Sequence, residues 1–163
     1  MSKLKLLGIL VLFLIFPSQA FGSGNAQLEL WKRSEFLHAA CGHCASMFSF
    51  QHKINWPDFS AFEPDFGDGY FTANLNGPAG TQVTLFGLQN YGEKQGFLII
   101  VKKDDFAIEI EDITGFTPRK WTEVKKEKGS YSAFYQPHQN FKSSVSSVKW
   151  GKWWDSSTPM SNN

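Results

Sequence analysis

Gly96-Phe-Leu-Ile-Ile-Val-Lys102, followed by Lys103-Asp-Asp105 and then Phe106-Ala-Ile-Glu-Ile-Glu-Asp-Ile113, is the stretch that decides the fold class. The first segment is a continuous apolar run bounded by turn residues, the pattern of a strand covered on both faces. The second alternates. Phe106, Ile108 and Ile110 face one way and Glu109 and Glu111 the other, the pattern of a half-buried strand. The Lys-Lys-Asp-Asp link between them predicts a hairpin.

Working outward, the same period of two recurs. Gln82–Leu88 places Val83 and Leu85 on one face and Thr84 and Phe86 on the other. Tyr70–Leu75, Trp121–Lys125, Tyr131–Tyr135 and Val145–Trp150 read as further short strands separated by turn signals. Nothing after residue 80 sustains a period near 3.6. The fold class expected is therefore all-β, an antiparallel Greek-key β-sandwich of immunoglobulin-like type, with a short N-terminal helical or irregular segment. That segment is a helix predicted from Glu35 to Phe50, on the spacing of Phe36, Leu37, Ala40, Cys44 and Met47, with Ser34 as its cap. Residues 27–76 are expected to form a helix and a turn-rich stretch packing on a sandwich built from 77–154, with 155–163 as a flexible tail.

One segment carries a family likeness. Gly77-Pro-Ala-Gly80-Thr-Gln-Val83-Thr-Leu-Phe-Gly87-Leu-Gln-Asn90-Tyr91-Gly92, followed by Gln95-Gly96, resembles the opening strands of IPT/TIG domains, which are immunoglobulin-like. Trp121-Thr-Glu-Val124 is similar to a later segment of that family. The pattern has one extra residue between Gly87 and the aromatic, and the N-terminal third lies outside it. A second, weaker likeness is to βγ-crystallin Greek keys, over Phe86–Tyr91, Tyr135–Phe141 and Ser146-Ser147-Val148. The calcium ligands of those domains are replaced here by Lys142 and Ser143. Both resemblances imply a Greek-key β-sandwich.

The N-terminus speaks to location. Lys3 and Lys5 precede an apolar run from Leu6 to Phe16, and Pro17-Ser-Gln-Ala20 supplies small residues for cleavage near residues 20–26. This reads as a secretory signal peptide, too short for a permanent bilayer span. The expected location is secreted or periplasmic, with no membrane span after cleavage and no cofactor. The net charge of +1, from 16 basic and 15 acidic residues, lacks the basic excess that phosphate backbones demand, so nucleic acid is not an expected partner.

Two groups of residues invite chemistry. Cys41-Gly-His-Cys44 is the tetrapeptide of protein disulfide isomerases, but the strand before it and a facing proline are missing. A short-loop disulfide, two buried thiols or a redox pair all fit Cys41 and Cys44. His38, Cys41, His43 and Cys44, with His52 nearby, also form a possible zinc or copper(I) set. The second group is Trp150-Gly-Lys-Trp153-Trp154 with Tyr135 upstream, a candidate aromatic platform for sugars or a protein partner. The acidic turn around Asp58, Glu63, Asp65 and Asp68 reads as ordinary turn chemistry, and Glu109 and Glu111 as solvent-facing strand residues. No catalytic set emerges. A non-enzymatic binding module for a protein or glycan is the leading expectation. A thiol–disulfide oxidoreductase or metal-handling protein using Cys41 and Cys44 is the alternative.

Overall fold

The computed structural model of the chain describes residues 25–33, 45–61, 69–154 and 159. Among the described residues, nine strands form two antiparallel sheets. The first holds four strands in the order β2-β1-β3-β6: β1 (Gln27–Arg33), β2 (Ala45–Gln51), β3 (Tyr70–Asn76) and β6 (Ile108–Ile110). The second holds five in the order β7-β8-β5-β4-β9: β4 (Gln82–Phe86), β5 (Phe97–Lys102), β7 (Trp121–Val124), β8 (Tyr131–Gln136) and β9 (Ser147–Trp150). Every strand pairing is antiparallel. The expected all-β sandwich is therefore what the chain forms, with no α-helix among the described residues.

Alternation selects which side chains enter the space between the sheets. Leu28, Leu30, Phe50, Phe71, Ala73, Leu75, Ile108 and Ile110 come from the first sheet. Val83, Leu85, Leu98, Ile100, Tyr131, Ala133, Tyr135, Val148 and Trp150 come from the second. The second sheet also buries its outer face, where Phe86, Phe97, Ile99 and Phe134 form a separate apolar layer. That layer explains the unbroken apolar run of β5, which is covered on both sides as its sequence implies.

The N-terminal part departs from expectation. The helix predicted over Glu35–Phe50 does not extend over 45–50, because Ala45–Gln51 pairs with β1 along its whole length, Gln27 opposite Gln51 through Arg33 opposite Ala45. Within that strand Phe48 and Phe50 turn toward the core while Met47 and Ser49 face out, a period of two that the short helical spacing hides. Residues 27–76 thus do not lie against a finished sandwich; they supply three of the four strands of one sheet.

The hairpin predicted between β5 and β6 also fails to form, since the two strands lie in different sheets. The link crosses the sandwich and is tied down there. Asp104 accepts hydrogen bonds from the Phe106 and Ser130 backbone N–H groups, Asp105 accepts from Ala79 N–H, and the buried Lys102 ammonium donates to the Phe106 carbonyl. Phe106 consequently sits in the link rather than in the strand, 49% exposed, and not on the face shared by Ile108 and Ile110.

Candidate functional site

The four aromatic residues singled out from the sequence are divided between opposite faces of the second sheet. Tyr135 and Trp150 point inward. Tyr135 packs on Phe141 at 5.6 Å, and burial raises the pKa of its phenol. Trp150 lies edge-on to His52 at 5.3 Å, and its backbone N–H donates to Asn55 Oδ1. Both are core residues, with 5% and 7% of their surface exposed, so neither presents a ring face to a ligand.

Trp153 and Trp154 lie on the other side. After β9, Gly151 takes φ +81, a value costly for residues with a Cβ, and turns the chain back. Trp153 then covers Phe86 and Phe97 at 5.4 and 5.5 Å, and its indole N–H donates to Thr84 Oγ1 at 2.8 Å. Trp154 reaches Trp121 at 6.0 Å, and Trp121 in turn packs on Phe134. The segment is a strap over the apolar layer of the second sheet. Cys41, Cys44, His38 and His43 lie outside the described residues, as do Glu63, Asp65 and Asp68. Asp58 accepts the Ser60 N–H in an ordinary Asx turn. Among the described residues no group of three or more His, Cys, Asp or Glu side chains is placed to hold a metal ion.

With the outer face of the second sheet covered by its own chain, the outer face of the first sheet is the one that differs. Register assembles it into rungs. Ser49, Glu29, Asn74 and Glu109 stand opposite one another across all four strands. Gln51, Gln27 and Asn76 form the next rung on one side, and Met47, Trp31 and Thr72 the next on the other. Neighbouring strands are about 4.8 Å apart and alternate residues about 6.8 Å, so the grid measures roughly 14 Å in each direction. Gln27 Nε2 donates to Ser49 Oγ. Gln27, Glu29, Asn74, Asn76 and Ala107 line a shallow depression of about 180 Å³ on this face. At its other end Trp31 stands between Met47, which is 45% exposed, and Thr72, with Tyr70 two residues further along β3.

No family model, curated protein or solved structure matches the chain. The face must therefore be read from its own chemistry.

Two features set it apart from a merely solvated sheet. Asparagine is disfavoured in strands, yet β3 carries Asn74 and Asn76 two positions apart on the same face. Asn76 has a local reason, accepting the Gly77 N–H. The Asn74 side chain makes no hydrogen bond to any described residue and lies at the middle of the four-strand rung. The second feature is Trp31, a large flat ring left partly open beside amides and carboxylates. Glu29 and Glu109 flank Asn74, with Cα atoms about 10 Å apart, and neither forms an ion pair with a described residue. Sequence reading missed this site because its members come from four distant segments and meet only through register. The one local signal was the pair of asparagines in a strand pattern.

Proposed function

We propose that this protein is a secreted or periplasmic, non-enzymatic binding module that recognises a glycan on the outer face of its four-stranded sheet. Two packed antiparallel sheets supply the scaffold, and the Gly77–Gly96 segment resembles the opening strands of immunoglobulin-like domains. The observation that carries the reading is Asn74, whose side chain has no hydrogen-bond partner among the described residues, in the middle of a polar rung and one rung away from Trp31. Amide and carboxylate groups in fixed register match the hydroxyls of a sugar chain, each offering donors and acceptors at set positions. An indole face stacks on the C–H surface of a pyranose ring. Sheet residues make a rigid site, so little ordering cost opposes binding.

Titration of the purified protein with a panel of soluble oligosaccharides, followed by Trp fluorescence, tests the reading. Binding of at least one oligosaccharide is expected, weakened at least tenfold by Trp31→Ala and unchanged by Trp154→Ala. Binding lost with Trp154→Ala and kept with Trp31→Ala would move the site to the C-terminal strap.

A further inference from the structure

The same face carries a charge pattern that narrows the ligand. Among the described side chains of its three rungs, the charged ones are Glu29 and Glu109, on either side of Asn74 in a single rung. Lys126 lines a separate pocket at the β6 edge together with Glu109, and three other lysines are engaged away from this rung. Lys32 belongs to the opposite, inward face, over the Phe71 ring at 5.3 Å. Lys128 lies over Phe106 at 5.4 Å, and Lys142 over Tyr70 at 4.2 Å and 3.9 Å from Asp112.

Resting on the glycan reading above, we infer that the ligand is a glycan bearing free amino groups, a glucosamine-type chain. Its ammonium groups would be received by Glu29 and Glu109, with Asn74 between them and one sugar ring stacked on Trp31. Three physical points support this. A carboxylate that forms no ion pair with a described residue attracts an ammonium group and repels a uronate or sulfate. Charge-assisted N–H to carboxylate hydrogen bonds are about twice as strong as neutral ones, so an amino group gains more from this rung than a hydroxyl does. The amides of Gln27, Asn74 and Asn76 add neutral donors and acceptors for the remaining hydroxyls. The rung crosses the strands, whereas Trp31 lies one rung further along β1. The chain therefore runs obliquely over the face, from Trp31 toward Glu109.

Isothermal titration of the full chain with three hexamers is the test: glucosamine, N-acetylglucosamine and galacturonate. The glucosamine hexamer is expected to bind about tenfold tighter than the acetylated one, with no measurable binding of the galacturonate hexamer. The Glu29→Gln, Glu109→Gln variant is expected to abolish the preference, weakening the glucosamine hexamer about tenfold more than the acetylated one. If the double variant fails to fold, Glu109→Gln alone, on the edge strand β6, is expected to remove part of the preference. Equal affinity for the two glucosamine-derived hexamers, or a preference that survives the variant, overturns the amino-sugar assignment and leaves the glycan reading standing. Binding of the galacturonate hexamer above the others overturns it as well. Absence of binding to all three, and to the oligosaccharide panel, overturns both.

Discussion

Asn74 is a residue the fold does not need. A β-branched side chain at that position would suit the strand better, and the β-propensity scale spans about 1 kcal/mol. Asn74→Val is therefore expected to raise stability by about 0.5 kcal/mol in urea unfolding while weakening glycan binding, the trade expected of a residue kept for function. A clear loss of stability would instead make it structural. Gly87 is the reverse case. A Cβ there would lie 2.2 Å from the Gln95 carbonyl oxygen, and both partners are backbone. Gly87→Ala should cost about 1–3 kcal/mol by overpacking, read as a lowered urea midpoint. Asp104 ties the sheet-crossing link together, and hydrogen bonds from Ser130 and Phe106 hold its carboxyl below the ordinary carboxylate value of 3.8. Its folded-state pKa is depressed, so its contribution is complete above that ordinary value and is lost as pH falls through the folded one. The acid unfolding limb of Asp104→Asn should accordingly be shallower below about pH 4 than that of the parent chain.

At the scale of elements, the C-terminal strap is structural. Trp153 closes the apolar layer over Phe86 and Phe97 and satisfies the hydroxyl of the fully buried Thr84. Trp153→Ala should destabilise by about 2–3 kcal/mol, less than a fully buried Trp truncation because the ring is only partly covered. Trp154, which meets Trp121 and Trp153 at the far side of that layer, should cost less when truncated. Thermal melts of the two variants check the order, and equal small effects would mean that the strap does not hold the layer. The sheet strands were legible because period-two patterning and turn residues agree with the tertiary structure over residues 70–150. The N-terminal strands were harder to read. Leu28 and Leu30 alternate with Gln27, Glu29 and Trp31 as a strand should, and β2 carries Phe48 and Phe50 likewise. In β2 that signal is short and overlaps a chance helical spacing of Cys44 and Met47. Pairing with β1, a long-range contact, decides between them.

For the molecule as a whole, the two faces of the sandwich have different fates. One is sealed by the chain's own tryptophans, and the other displays amides, two carboxylates and an indole. The sandwich could be read from composition and alternation, since burial depends on local pattern. The proposed binding face could not, since it depends on which distant strands become neighbours. The C-terminal tryptophan cluster drew attention for the opposite reason: its members are adjacent in sequence, yet they end on two sides of a sheet. On the proposed function, ligand meets the first sheet and not the second. Side-chain amide NMR of the full chain, titrated with the glucosamine hexamer, tests it most directly. Shifts concentrated in Gln27, Asn74, Asn76 and the Trp31 indole, with Trp153 and Trp154 unmoved, are the predicted result. Shifts confined to Trp153, Trp154 and Trp121 would contradict it.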